Sequence, residues 1–268
     1  MPNKKYFILN GAYVAESEMI FDPENRAFLY GDTIFETIKA VNGNILFFNE
    51  HINRLTAGMS ILNYNIPDKF TFFKEKLKEE ISGLLNRNKI FKAARIRINV
   101  FRKSGGLYSP KTDNVNYFIS ASKLENEYFI LNKTGLHLGI YTEIKKPINV
   151  FSPFKTANSL IYVLAGIYTK QNNFDDCIIL NEKNEIAESV SSNIFAVINK
   201  TLITPGLNSG CINGIIRNEI IKTAERENIS VKEKTLTEND LLNAEEIFLT
   251  NSISGIKWAV AYKNKRYY

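Results

Sequence analysis

The chain has 268 residues, of which 44% are hydrophobic and 12% aromatic, so it can bury a core large enough to offset the entropy of ordering it. Charged residues make up 23%, which is typical of a folded protein and excludes a disordered one. The 34 lysines and arginines exceed the 28 acidic residues and give a net charge of +6. They form no long basic block, so we expect no nucleic-acid partner.

Histidine and cysteine are scarce, with two residues of each type: His51, His137, Cys177 and Cys211. This composition argues against a metal site, a Ser-His-Asp hydrolase and a disulfide framework. No stretch approaches the roughly 18 apolar residues of a membrane helix, and the first residues lack the apolar core of a secretory signal. We therefore expect a cytoplasmic protein with no metal and no membrane partner.

Hydrophobic patterning in the first half predicts two hairpins, two helices and a further strand pair. Asn-Gly pairs at 10–11 and 42–43 lie between apolar runs, which is typical of tight hairpin turns. The spacing predicts helices from Asn49 to Leu62 and over 70–88, and then strands over 93–101 and 117–121.

The second half has more short strands than the first. A polar stretch from Ser122 to Lys133 marks a junction, and we predict domains over 1–122 and 123–268. The elements predicted after it are a strand over 136–141, a helix over 157–171, a hairpin of 177–180 with 194–198, a helix over 215–227 and a strand over 246–249. These patterns predict an α+β architecture with a smaller N-terminal and a larger C-terminal domain.

Lys155 is a candidate nucleophile. It directly precedes a predicted helix whose apolar stripe runs through Leu160, Ile161, Leu164 and Ala165. The positive end of a helix dipole and the flanking Phe154 both disfavour a cation, so they favour the neutral amine. A neutral lysine can bind an aldehyde cofactor covalently. The alternative is a solvated lysine at the end of a loop.

Two further segments carry groups suited to a cofactor. Residues 210–217 form a glycine-flanked loop that enters a helix, and the free N–H groups and the dipole at such a start bind phosphate. The segment lacks the Walker pattern, which argues against a nucleoside triphosphate. Glu188 precedes a serine-rich loop, where a carboxylate can keep a ring nitrogen protonated. A plain loop and a plain hairpin are the alternatives.

Several short motifs follow one another along the chain: Gly31–Thr37, His51–Leu55, Lys155 with Asn158 and Leu160, Glu188–Phe195, Thr204-Pro205, Asn213–Arg217 and Glu246–Ser252. In this order and with these spacings they resemble the class IV aminotransferases, the fold-type IV family of pyridoxal-phosphate enzymes, over nearly the whole chain. The resemblance implies a small N-terminal α/β domain, a larger C-terminal pseudo-barrel domain, pyridoxal 5'-phosphate (PLP) as cofactor, and a homodimer.

The resemblance also implies roles for the residues at the matching positions. Lys155 would bind PLP covalently and act as the catalytic base, and Glu188 would face the pyridine nitrogen. The phosphate would be held by the side chain of Arg54, the backbone N–H groups of Ile215 and Ile216, and Ser252.

Three chemistries compete within this family. Branched-chain aminotransferases usually carry a tyrosine five positions after the lysine and Gly-Thr-Ala near the last strand, whereas this chain has Leu160 and Asn251-Ser252-Ile253. The motifs at 155–160, 213–217 and 251–253 resemble those of aminodeoxychorismate lyases. The resemblance therefore favours a lyase that releases pyruvate and 4-aminobenzoate in folate biosynthesis. D-amino-acid aminotransferases share the leucine and the serine-rich loop. Both aminotransferase types therefore stay open, and a non-enzymatic basic binding protein is a more distant alternative.

An anionic amino substrate needs cations for its carboxylates. Alternation along 93–101 places Arg95 and Arg97 on one face of a strand, and Arg102 is expected beyond its end. We predict that Arg97 and Arg102 bind substrate carboxylates, with solvent-facing arginines as the alternative. Tyr108 is a further candidate, because the segment 102–108 resembles the lyases' Arg-Gly-x-Gly-Gly segment. Leu107 stands where those lyases often have another arginine.

Overall fold

The computed structural model describes residues 4–66 and 70–267, apart from the side chains of residues 70–72. The chain divides into two compact units, the first comprising Met1–Tyr128 and Phe154–Asn158 and the second Phe129–Pro153 and Ser159–Tyr268. The sequence placed this division after Ser122 and assigned Lys155 to the second domain. The structure instead groups Lys155 with the first unit.

An antiparallel sheet in the order β2-β1-β6-β5-β3-β4 forms the first unit. Its strands are β1 (Tyr6–Leu9), β2 (Ala12–Ala15), β3 (Thr33–Val41), β4 (Asn44–Ile45), β5 (Ala93–Arg102) and β6 (Val115–Leu124). Both predicted hairpins are confirmed, and Asn10 and Asn42 have the positive φ that such turns require. The strand β4 has only two residues, because Phe47 is also left-handed and a helix begins at the next residue.

Two helices, α2 (Phe48–Ile61) and α3 (Phe70–Arg87), cover one face of this sheet and match the prediction closely. A shorter helix of this unit, α1 (Arg26–Tyr30), precedes β3. Alternate residues of β3 and β5 turn apolar side chains toward α2 and α3, since successive side chains on a strand point to opposite faces. The core between them contains Ile34, Ile38, Ile96, Ile98, Ile52, Leu55, Met59, Leu77 and Ile81.

The segment that carries Lys155 extends the edge of this sheet. The N–H of Phe35 donates to the carbonyl of Lys155 at 2.8 Å, and the N–H of Ala157 donates to the carbonyl of Thr33 at 3.0 Å. Because β4 pairs only with the far end of β3, the near end is open to these bonds. This pairing explains why Phe154–Asn158 belongs to the first unit.

A mixed sheet in the order β12-β11-β10-β13-β14-β7-β8-β9 forms the second unit, with β15 added to β14. Its strands are β7 (Leu136–Lys146), β8 (Asp176–Asn181), β9 (Ile186–Ser189), β10 (Asn193–Ile198), β11 (Thr201–Thr204), β12 (Val231–Glu233), β13 (Glu246–Asn251), β14 (Gly255–Tyr262) and β15 (Lys265–Arg266). The predicted hairpin of 177–180 with 194–198 is wrong. Instead β8 pairs with β9 through a turn at Asn184, and β10 pairs with β11 and β13.

Three helices belong to the second unit: α4 (Leu160–Gln171), α5 (Ile215–Arg226) and α6 (Glu238–Asn243). The first of them begins three residues later than predicted, because residues 155–157 are extended along β3. In the part of the chain that the structure describes, no helix is both long enough and apolar enough to cross a membrane.

Candidate functional site

The residues predicted to form a site fall into two groups, one in each unit. The first unit holds Arg54, Arg97, Arg102, Tyr108 and Lys155. The second unit holds Glu188, Ile215, Ile216 and Ser252.

Arg54 is oriented by a buried carboxylate. His51 and Arg54 are three positions apart on α2, so they lie on one face of the helix, and both reach Glu36 on β3. Arg54 Nε donates to Glu36 Oε1 at 2.6 Å, Arg54 Nη2 donates to Oε2 at 2.7 Å, and His51 Nδ1 lies 2.6 Å from Oε2. Burial raises the pKa of Glu36, but Arg54 and His51 outweigh it and lower that pKa to about 2. Glu36 therefore stays charged and fixes the guanidinium.

Lys155 is half-buried beside an aromatic ring. Its Nζ lies 5.1 Å from the ring centroid of Phe35, within the range of a cation–π contact. The predicted effect of a helix dipole on Lys155 is wrong, because α4 begins only at Leu160 and the field of a dipole falls off within the first turn. The backbone bonds to β3, rather than a helix, hold this lysine in place.

Arg97 contacts the same ring. Thr37 pairs with Arg97 across β3 and β5, so Arg97 shares with Phe35 the sheet face that turns away from α2 and α3. Its guanidinium lies 3.7 Å from the Phe35 centroid, and its Nε donates to Asn99 Oδ1 at 3.0 Å. Partial burial and the neighbouring Arg95 lower the pKa of Arg97. The predicted sharing of one face by Arg95 and Arg97 is confirmed.

Arg102 is the last residue of β5, not a residue beyond its end, and it is buried. Its guanidinium donates to Asp32 Oδ2 at 3.0 Å and to the carbonyl of Leu62 at 2.6 Å, and it forms an ion pair with Asp113. It also packs over Tyr64. A substrate carboxylate would have to displace these partners, so the structure gives Arg102 a supporting role instead of the predicted binding role.

Tyr108 lies on an exposed loop that Arg26 organises. Arg26 Nη1 donates to the carbonyls of Gly106 and Leu107 at 3.1 and 2.6 Å. The Tyr108 side chain is 91% exposed, and its ring packs 5.6 Å from that of Tyr30. The Tyr108 side chain therefore lies mostly in solvent, with the Tyr30 ring as its packing partner.

The start of α5 offers unpaired backbone donors. Within the described residues, the N–H groups of Ile215 and Ile216 have no acceptor, as expected for the first turn of a helix that lacks a side-chain cap. Gly214 allows this helix start, since a Cβ there would lie 1.8 Å from Asn193 Oδ1. Free N–H groups at the positive end of a helix dipole suit a phosphate.

An unpartnered hydroxyl lies on the face that α5 covers. Asn193 and Thr250 pair across β10 and β13, so their side chains share a face, and Asn193 Nδ2 donates to the carbonyl of Ile212 at 2.8 Å. The Thr250 hydroxyl is buried without a hydrogen-bond partner among the described residues. Ser252 follows in a turn that Asn251 closes by accepting from the N–H groups of residues 253 and 254.

Glu188 is a buried carboxylate with donors on both oxygens. Its Oε1 forms an ion pair with Lys146 and accepts from the Tyr162 hydroxyl at 2.6 Å. Its Oε2 accepts from the N–H of Ile212 at 2.9 Å. Because Ile212 lies three residues before α5, this bond connects Glu188 to the segment that carries the free N–H groups.

Sequence reasoning missed the residues that hold these side chains. Glu36 and His51 lie within the motifs Gly31–Thr37 and His51–Leu55. The i, i+3 spacing of His51 and Arg54 also indicated that they share a helix face. Lys146 and Tyr162 lie 42 and 26 positions from Glu188. No local pattern joins positions so far apart, so only the fold could bring them together.

Comparisons with known proteins agree with this arrangement. The family model for class IV amino-transferases matches residues 33–259. A protein named "Putative branched-chain-amino-acid aminotransferase" from Methanocaldococcus jannaschii is 32% identical, over 92% of this chain and 84% of that protein. An aminodeoxychorismate lyase from Vibrio harveyi is 29% identical, over 87% and 83%. A D-alanine aminotransferase from Listeria monocytogenes is 27% identical, over 91% and 83%.

A solved structure has the same fold. The branched-chain aminotransferase of Thermoproteus uzoniensis superimposes with a TM-score of 0.87 at 21% identity, covering 99% of this chain and 89% of that one. The chain therefore belongs to the class IV aminotransferase family, and the predicted fold-type IV α+β architecture is confirmed. It is a PLP-dependent enzyme, which sets aside a non-enzymatic binding protein.

Each unit carries groups whose chemistry suits this cofactor. In the second unit, the free N–H groups of α5 suit phosphate oxygens and the buried Glu188 carboxylate suits a protonated ring nitrogen. In the first unit, the amine of Lys155 suits an aldehyde and the fixed positive charge of Arg54 suits phosphate.

Proposed function

We propose that this enzyme is a 4-amino-4-deoxychorismate lyase that releases pyruvate and 4-aminobenzoate for folate biosynthesis. One observation carries the proposal: Arg97 and Lys155 both contact the Phe35 ring, and Arg95 lies on the same face of the first sheet as Arg97. The described strands place no acidic side chain on that face. A substrate with two carboxylates matches this excess of cations better than an amino acid with one.

The predicted site residues bind the cofactor, move one proton and bind the substrate. Arg54, the N–H groups of Ile215 and Ile216, and Ser252 bind the phosphate, and Lys155 binds the cofactor covalently. When bound, PLP supplies an aldehyde for the substrate amine and a ring that takes up electrons. Glu188 keeps the proton on the ring nitrogen. Lys155 would also act as the base that removes the proton from the substrate carbon that bears the amine. Arg97 binds a substrate carboxylate.

A direct assay tests the reaction. Supplied with aminodeoxychorismate, the enzyme should release pyruvate and 4-aminobenzoate, and Arg97→Lys should raise KM because a lysine cannot grip a carboxylate with two parallel bonds. A panel of L- and D-amino acids with 2-oxoglutarate is assayed in parallel. Turnover of the panel without turnover of the chorismate derivative would contradict the lyase.

The second candidate is an amino-acid aminotransferase, of the D-amino-acid or the branched-chain type. The 32% identity to the archaeal protein named for branched-chain amino acids favours it, as does the relative named D-alanine aminotransferase. In that reaction Lys155 would give back the proton that it removed, and the substrate would lose its amino group instead of pyruvate. The same assay panel separates the two candidates.

A cytoplasmic homodimer is part of the same proposal. Four apolar side chains on α4 are exposed at helical spacing: Leu160 by 76%, Val163 by 54%, Leu164 by 40% and Ile167 by 48%. A single stripe of this kind can pack against its copy around a twofold axis. Light scattering should show a dimer that dissociates in Val163→Glu with Ile167→Glu, and not in Thr223→Glu on α5. If all of these variants remain dimeric, the α4 stripe is not the dimer interface.

A further inference from the structure

Three elements of the second unit converge on one buried carboxylate. Lys146 ends β7, Tyr162 lies in the first turn of α4, and Glu188 lies on β9. Glu188 is 3% exposed and Lys146 is 6% exposed, so their ion pair is shielded from water. Cys211 is another titratable side chain close enough to Glu188 for the carboxylate to help raise its pKa, although burial is the larger cause.

A buried ion pair of this kind needs an explanation other than stability. Removing two charges from water costs several kcal/mol, and well-packed apolar replacements are often as stable. The pair is therefore weak evidence for a structural role. In the proposed function, Glu188 faces the cofactor ring, so the ion pair that it forms with Lys146 indicates a chemical role.

The donors on Glu188 are distributed unequally. Lys146 and Tyr162 both occupy Oε1, whereas Oε2 accepts, among the described residues, only from the N–H of Ile212. A carboxylate oxygen can accept two hydrogen bonds, so Oε1 is filled and Oε2 can take one more. Burial together with the neighbouring Glu188 raises the pKa of Tyr162 well above 10, so this phenol donates a proton and contributes no charge. Among the described residues, Lys146 is the cation that pairs with Glu188.

We propose that Lys146 is a positioning residue for Glu188. Lys146 holds the Glu188 carboxylate charged and turns its Oε2 toward the ring nitrogen of the cofactor. The inference rests on the proposed role of Glu188. Without the cation, burial would favour the protonated, neutral acid. A neutral acid could not stabilise the proton on the ring nitrogen, and the ring would take up electrons less readily.

Replacement of Lys146 by methionine removes the charge at similar length, and arginine restores it. In the cofactor-free protein, the ¹³C resonance of the Glu188 carboxyl, assigned with Glu188→Gln, should move toward the protonated acid at pH 7 in Lys146→Met. It should return to the wild-type position in Lys146→Arg. Tyr162→Phe, which removes a neutral donor, should leave the resonance near its wild-type position.

The holoenzyme gives a second readout. In Lys146→Met, the midpoint of the pH-dependent change in cofactor absorbance should shift by about one pH unit or more. A shift of one unit is about a tenfold change in the equilibrium constant for proton binding. Lys146→Arg should restore it. If Lys146→Met does not fold, Lys146→Gln, which keeps a donor without the charge, makes the same comparison.

Two results would overturn the inference: a Glu188 resonance that is identical in wild type and Lys146→Met, or an absorbance profile that methionine and arginine change equally. Failure of the proposed function is distinguishable, because it would appear as a wild-type enzyme that releases no pyruvate and 4-aminobenzoate from aminodeoxychorismate. The resonance comparison in the cofactor-free protein does not depend on that result.

Discussion

Glu36 carries a negative charge in the core of the first unit, where Arg54 and His51 compensate it. Glu36→Gln would leave the Arg54 cation buried without its counter-charge. We expect the free energy of unfolding to fall by about 3–5 kcal/mol, the usual cost of breaking a buried pair. Urea unfolding followed by circular dichroism measures this loss, and PLP binding should weaken in parallel because Arg54 loses its orientation.

A surface pair provides the control for this variant. Lys5 and Glu16 form an ion pair at 3.1 Å with side chains at least half exposed. Glu16→Gln should cost at most about 1 kcal/mol, because water already screens such a pair. Equal losses in Glu16→Gln and Glu36→Gln would contradict the role assigned to Glu36.

Asp176 predicts a pH dependence of stability. It accepts hydrogen bonds from the N–H groups of Cys177 and Val190 and from the Ser189 hydroxyl. Burial outweighs these bonds and raises its pKa from 3.8 to about 6. The folded state therefore binds the proton more tightly than the unfolded state. The resulting stability is fully present below pH 4 and is lost as the pH rises through 6.

Asp176→Asn keeps the shape of the side chain and removes this titration. The rise in pKa corresponds to roughly 3 kcal/mol at about 1.4 kcal/mol per unit. Relative to wild type, the variant should therefore gain about that much stability between pH 4 and pH 7. Chemical unfolding at a series of pH values measures the difference, and parallel curves for the two proteins would refute the assignment.

At the scale of elements, the start of α5 depends on one glycine. In Gly214→Ala, the new Cβ would displace the Asn193 side chain and break its bond to the carbonyl of Ile212. That bond contributes about 1 kcal/mol and orients the N–H groups assigned to the phosphate. We expect PLP affinity to fall about tenfold, which corresponds to roughly 1.4 kcal/mol. Fluorescence titration of the cofactor-free protein measures it.

Gly166 in the interior of α4 is the matched control. A Cβ there would meet only Val190 Cγ1, at an ordinary 3.8 Å. Gly166→Ala should therefore stabilise the helix by up to about 1 kcal/mol and leave PLP affinity unchanged. A loss of affinity in this variant equal to that in Gly214→Ala would show that the helix start is not responsible.

Elements with strong periodicity could be predicted from the sequence, and irregular ones could not. The helices α2 and α3 and the strand β5 each bury a regular set of apolar positions, so their patterns indicated their bounds. The four residues of β9 include the buried Glu188. A charged residue in so short a segment predicts a loop when its buried partners are unknown. The sequence therefore paired β8 with β10, although β9 lies next to β8.

At the scale of the whole molecule, motif order indicated the family, but the long-range contacts of the site could not be predicted. The roles of Lys155 and Glu188 followed from the resemblance, whereas Lys146 and Tyr162 became visible only in the fold. Arg102 shows the opposite error, because a cation next to glycines resembled a ligand-binding residue. Its three protein partners come from segments up to 70 positions away.

The covalent attachment of the cofactor to Lys155 is the central claim. Borohydride reduction of the PLP-loaded enzyme, followed by digestion and mass spectrometry, locates the modified lysine. We predict a reduced pyridoxyl adduct on the peptide that contains Lys155, and no adduct and no yellow colour in Lys155→Ala. An adduct on a different lysine, or equal colour in both proteins, would contradict the account.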